Sequence, residues 1–156
     1  MRLFISAACF VLLSSAVLAE NIPAERIPPH ILAIAKNQLP EAEFTGARVD
    51  IDYDGAAYEL FGELPDGSAV EMDIDPDGEI HEIETVIRPN TVPAEILALA
   101  KKYIPEFEIV LAEISERFAP NEIIYELDIK LPSGAEFALE IDEGAGQILI
   151  LESSGD

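Results

Sequence analysis

The segment Asp73 to Glu84, DIDPDGEIHEIE, has the spacing of a calcium-binding loop, D-x-[DN]-x-[DN]-G-x5-E. In that chemistry Asp73, Asp75 and Asp77 supply hard oxygen ligands, Gly78 makes the sharp turn and Glu84 closes the coordination sphere. Ile80 even fills the apolar eighth position. The closing glutamate, however, must curl back on an exiting helix. Here the entering residues, SAVEMDID, alternate apolar and polar as a strand does. If the exit is also extended, Glu84 lies roughly 20 Å beyond Gly78 at about 3.3 Å per residue. The order Asp75-Pro76-Asp77-Gly78 is that of a type I turn followed by a glycine at positive φ. The segment is therefore predicted to be a hairpin tip. A weak, open calcium contact through two or three of these carboxylates is the cation-binding alternative, and no cofactor is otherwise implied. Asp50, Asp52 and Asp54 ahead of Gly55 form a second, incomplete set, with Phe61 where the closing glutamate would stand.

Other site chemistry is sparse. His30 and His81 lack the spacing of a zinc pair and are expected to be solvated. No G-x-S-x-G elbow occurs, and no glycine-rich phosphate loop leads a helix. Carboxylates are so numerous that pairing any two as a glycosidase site has no specificity. The expectation is a protein that is not an enzyme.

The elements that must position these residues are written twice. IPPHILAIAKNQLPEAE (Ile27 to Glu43) returns as VPAEILALAKKYIPEFE (Val92 to Glu108), and YELFGELPDGSAVEMDIDPDGEI (Tyr58 to Ile80) as YELDIKLPSGAEFALEIDEGAGQI (Tyr125 to Ile148). The joint falls near Arg88-Pro89-Asn90. Each copy opens with a helical stripe, Ile31, Ile34, Ala35 and Leu39 in the first, and Ile96, Leu99, Ala100, Tyr103 and Ile104 in the second. The period then changes to two, as in Val70, Met72 and Ile74 or Tyr125, Leu127 and Ile129, with turns at Asp54-Gly55, Pro65-Asp66-Gly67 and Pro76-Asp77-Gly78. The predicted fold class is α+β: two tandem repeats, each one N-terminal helix packed on an antiparallel meander of about four strands.

Met1-Arg2 followed by LFISAACFVLLSSAVLA has the form of a secretory signal cleaved after Ala19. The expected organisation is a signal peptide over 1–19, a first repeat over 20–88 and a second over 89–156. Cys9 is the one cysteine, so the mature chain has no disulfide and must rely on an ordinary core. Asp and Glu number 31 against 9 Lys and Arg, a net charge of −22. Such a field repels nucleic acid and anionic membranes, and it favours cations and basic proteins.

YELDIKLPSGAEFALEIDEGAGQILILES and the helix–Pro–strand lead-in resemble the PepSY-like group of exported bacterial proteins. That group is similar in arrangement to the tandem β-lactamase-inhibitor protein fold. The resemblance implies a non-enzymatic binding or inhibitory module of the bacterial envelope, and it brings no catalytic residues. Unlike the β-lactamase inhibitor, this chain carries no disulfides.

With the apolar strand residues turned to the helices, the opposite face displays Asp50, Asp52, Glu59, Phe61, Glu63, Glu71 and Asp73 in the first copy. In the second copy it displays Glu126, Asp128, Lys130, Glu136 and Glu140. Phe61 is an aromatic in a polar register. It is read as an anchor for a partner, as packing against the other copy, or as a slip of the strand register at that point. The expected function is an exported binding module that engages a protein partner of basic character through Asp50, Asp52, Glu59, Phe61, Glu71 and Asp73. Its expected location is periplasmic or secreted, with no nucleic-acid partner and no stable membrane insertion after signal removal.

Overall fold

The computed structural model describes residues 21–51, 56–118 and 121–153. The signal-peptide segment lies outside them. Nine strands are described: β1 (Asn21–Pro23), β2 (Glu43–Ile51), β3 (Ala56–Glu63), β4 (Ala69–Ile74), β5 (Ile80–Val86), β6 (Glu108–Phe118), β7 (Asn121–Lys130), β8 (Glu136–Asp142) and β9 (Gln147–Ser153). Two helices interrupt them, α1 (Pro29–Gln38) before β2 and α2 (Ala94–Tyr103) before β6.

All nine strands form one antiparallel sheet in chain order. This corrects the expected fold class of two helix-on-meander repeats. The overturning observation is the pairing of β5 with β6, in which Glu82 faces Arg117, Glu84 faces Ser115 and Val86 faces Glu113. The ladder is extended by the Ile87 N–H, which donates to the Ala112 carbonyl at 2.8 Å. Two separate meanders would leave both strands with a row of unpaired backbone groups, and closing them on each other satisfies those groups. No hairpin signal marks this pairing, because the connection runs through α2. β1 was also not foreseen; it pairs with β2 from Asn21↔Arg48 to Pro23↔Gly46.

One face of the sheet is apolar and carries both helices. Ile31 and Ala35 of α1 are buried with Phe44, Leu60, Val70, Met72, Ile74 and Ile83. Ile96 and Ala100 of α2 are buried with Ala112, Tyr125, Leu127, Ile129, Leu139 and Ile141. Both helices start at prolines, where a missing N–H removes no intrahelical bond. The predicted stripes hold at these central residues and fail at Tyr103, which is 60% exposed. The Lys102 ammonium lies 5.6 Å from the Tyr103 ring centroid.

The segment Asp75 to Glu79 is a hairpin tip between β4 and β5. The Asp75 N–H donates to the Glu79 carbonyl at 2.8 Å, and the Gly78 N–H to the Asp75 carbonyl at 2.9 Å. Gly78 has φ +96°, and a Cβ placed there would stand 2.5 Å from Ile34 Cδ1 of α1. Gly67 has a similar φ, +86°, but nothing within 4 Å of such a Cβ. Gly67→Ala is expected to cost about 1 kcal/mol from backbone strain alone. Gly78→Ala also displaces the terminal methyl of Ile34, which can rotate aside at a small packing cost, and should cost about 1–2 kcal/mol. Urea unfolding of the two variants measures the difference, and equal losses would show that the tip does not bear on α1.

Candidate functional site

Cross-strand partners point to the same face, so the register determines what the helix-free face displays. One row runs Arg48, Glu59, Asp73, Glu82, Arg117 and Glu122 from β2 to β7. The next runs Phe61, Glu71, Glu84, Ser115 and Ile124. A third runs Val86, Glu113, Glu126 and Glu140. The carboxylates of β4 to β8 thus meet across the seam between β5 and β6, and all are half-buried.

Two arginines hold this surface. Arg117 Nε donates to Glu82 Oε1 at 2.7 Å, and its Nη2 reaches Glu126 Oε1 at 3.1 Å and Glu140 Oε2 at 3.3 Å. One guanidinium therefore ties β5, β6, β7 and β8 together. The fully buried Ser115 hydroxyl donates to the same Glu82 oxygen. Arg48 makes a two-pronged contact with Glu59, with Nε at 2.5 Å and Nη2 at 2.6 Å, and lies 5.7 Å from the Phe61 ring centroid.

No ion pair is found for Glu84 or Glu113 among the described residues. Burial, then the charges of Glu126, Glu82, Glu113 and Glu71, push the Glu84 carboxyl up to about 8. Burial and a hydrogen bond with Glu59 raise Glu71 to about 7. Burial and Glu140 raise Glu126 to about 7 against the pull of Arg117. Asp73 rises to about 6 through burial and the charges of Glu59 and Glu82, and Glu113 rises through burial and Asp128. Beside these groups lies a hollow of about 220 Å³ lined by Arg48, Glu59, Glu71, Asp73, Glu82 and Glu84.

Of the residues singled out in the sequence, Glu59, Phe61, Glu71 and Asp73 lie together on this face. Asp50 belongs to β2, where it pairs with Ala57. Asp52 lies outside the described residues. Phe61 is half-buried beside its own chain's Arg48, so an aromatic thought to await a cation already has one. Lys130 and Glu136 pair with each other at 2.6 Å near the far end of β7 and β8. The sequence reading missed Arg117, Glu113, Ser115 and the position of Glu82 and Glu84. A signal was available in the i, i+2 spacing of Glu82-Glu84 and of Glu113-Ser115-Arg117, but their mutual contact depends on the β5–β6 pairing.

The calcium-loop residues are dispersed. Asp73 faces Glu59 and Glu82 within the ladder, Glu84 faces Glu71 and Ser115, and Asp75 accepts from His81 Nε2 at 2.9 Å at the tip. His30 of α1 touches the same tip, with Nε2 3.1 Å from the Pro76 carbonyl, so the hairpin unites two histidines that the sequence left far apart. Glu82, Glu84 and Glu126 each bring one carboxylate oxygen within 4.8 Å of the others. Arg117 already binds two of the three and supplies positive charge where an ion would.

No family model matches the chain, and no curated protein matches it. Solved structures do. A BLIP-like protein from Bacteroides fragilis superposes with a TM-score of 0.63 at 20% identity, covering 83% of this chain and 91% of that one. A DUF2874 family protein from Bacteroides uniformis gives a TM-score of 0.65 at 12% identity, covering 81% and 89%. The fold is therefore BLIP-like. A DUF2874 family protein from Bacteroides vulgatus described as periplasmic covers 88% of this chain and 99% of its own at 17% identity, with a TM-score of 0.36. No helix among the described residues is long and apolar enough to cross a membrane.

Proposed function

We propose that this chain is an exported, periplasmic, non-enzymatic binding module of PepSY-like character that captures a basic protein segment on the helix-free face of its sheet. The observation that carries the reading is the group of half-buried carboxylates across β4 to β7, among which Glu84 and Glu113 have no ion pair among the described residues. Desolvated carboxylates crowded together gain most from an incoming ammonium or guanidinium, because it relieves repulsion and supplies a counter-charge. Arg117 shows how such a group is held, by three carboxylates from three strands. The secretory form of the first nineteen residues supports the location. The BLIP-like fold agrees with a sheet surface used for binding, and inhibition of a partner is the narrower form of this role.

An oligo-lysine peptide of defined length, followed by fluorescence anisotropy, serves as the probe. Phe61→Ala with Asp73→Asn, and separately Glu71→Gln with Glu84→Gln, should weaken capture by about tenfold each. Glu41→Gln with Glu106→Gln removes two exposed carboxylates elsewhere, as many as the second pair and one more than the first, and should change it little. Equal losses in all three would reduce the attraction to net charge and sink the face. Calcium is expected to act on capture only as a screening salt does; selective competition at micromolar ion would instead favour a cation-binding role.

A further inference from the structure

The carboxylates of the helix-free face oppose one another by register. Glu71 is the cross-strand partner of Glu84, Glu113 of Glu126, and Glu126 of Glu140. Like charges placed directly opposite destabilise a ladder, and burial strengthens the effect. The groups facing this stretch are Arg48 from β2, Glu59 from β3, Asp73 from β4 and Glu82 from β5. From the other side they are Ser115 and Arg117 of β6, Asp128 of β7 and Glu140 of β8. The two arginines contact Glu59, Glu82, Glu126 and Glu140, which leaves Glu71, Glu84 and Glu113 without a cation at hydrogen-bond distance among the described residues.

We propose that this part of the sheet is a proton-sensitive latch, in which Glu71, Glu84, Glu113 and Glu126 hold β4 to β7 together while they share protons and loosen that ladder when all four ionise. A protonated carboxyl donates a hydrogen bond to its neighbour and replaces a repulsion with an attraction. The latch is a property of the isolated chain and does not rest on the binding reading. Its pH window follows from the environment of these groups. Glu84 is raised to about 8, and Glu71 and Glu126 to about 7, from an ordinary value of 4.5. The folded chain therefore holds more protons than the unfolded chain across that range. Stability is complete below the unfolded value and is lost as pH rises through the folded ones.

Thermal unfolding of the full chain from pH 5.5 to 8.5 at low salt tests this. The wild-type Tm should fall by more than about 5 °C over the range. Glu84→Gln should remove at least half of that fall, as should Glu113→Gln if the first variant does not fold. Glu106→Gln, an exposed change of equal charge, should retain it. Hydrogen-exchange protection at Glu82–Val86, corrected for intrinsic rates, should drop as pH rises while protection in β3 holds. A flat or rising Tm overturns the latch. So does the same slope in the Glu84 and Glu106 variants, which would assign the effect to general charge repulsion.

Discussion

Arg117→Met is expected to lower the unfolding free energy by about 2–3 kcal/mol at pH 8. The side chain is only 30% exposed and is the shared counter-charge of Glu82, Glu126 and Glu140. Removing one partner of a buried pair strands the others, at a typical cost of about 3–5 kcal/mol, reduced here because water reaches part of the site. Methionine keeps much of the apolar stem, so the loss reports charge more than volume. At pH 5.5 Glu126, whose carboxyl burial and Glu140 raise to about 7, takes up a proton and the need for a cation declines, so the loss should shrink. Arg48→Met is the comparison. Its side chain is 42% exposed, and its described ion pair ties β2 only to β3. It should cost about 1 kcal/mol or less. Urea unfolding at both pH values measures these quantities. A loss at Arg117 that is small at pH 8, or larger at pH 5.5, would show that the guanidinium is not the clamp of the seam.

Leu60→Ala should cost about 3 kcal/mol, and the loss should be felt by the whole chain. Leu60 is fully buried between Ala47 and Met72 on the helix side of the sheet, so truncation removes transfer energy and leaves a cavity. The two core clusters share no residue, and two independent units would melt separately. The β5–β6 ladder, the Ser115–Glu82 bond and the Arg117 contacts connect them. Unfolding should therefore remain one transition, with Tyr125, in the other cluster, losing its environment together with the first half. Two resolved transitions in the variant, the second at the wild-type midpoint, would show that the shared sheet transmits little stability between the halves.

The local elements were largely legible. Alternation at Val70, Met72 and Ile74 predicted the buried side of β4, and all three are buried. The Asp-Pro-Asp-Gly order correctly outweighed a full match to a calcium motif, because type I turn chemistry and strand flanks act over a few residues. The stripe of α2 was legible at Ile96 and Ala100 and misleading at Tyr103, since periodicity shows which side of a helix is apolar but not which of its residues the core covers. For the candidate site, alternation alone put Glu59, Glu71 and Asp73 on one face. The clamp at Arg117 could not be read that way, because its partners come from three other strands.

What the sequence by itself determined is therefore both helices, most of the strands, the apolar side of the central ones, the hairpin tip at residues 75–79 and the acidic character of the opposite side. These follow from turn chemistry and periods of two and 3.6 residues, which are local properties of the chain. Only the tertiary structure decided that β5 pairs with β6. That pairing joins two expected meanders into one sheet and brings Glu84 and Glu71 beside Glu113, Ser115 and Glu126. The reason is the unpaired backbone at a strand edge. It seeks any complementary edge with the right twist and register, whatever side chains adorn it, and so leaves no mark in a repeat or a motif.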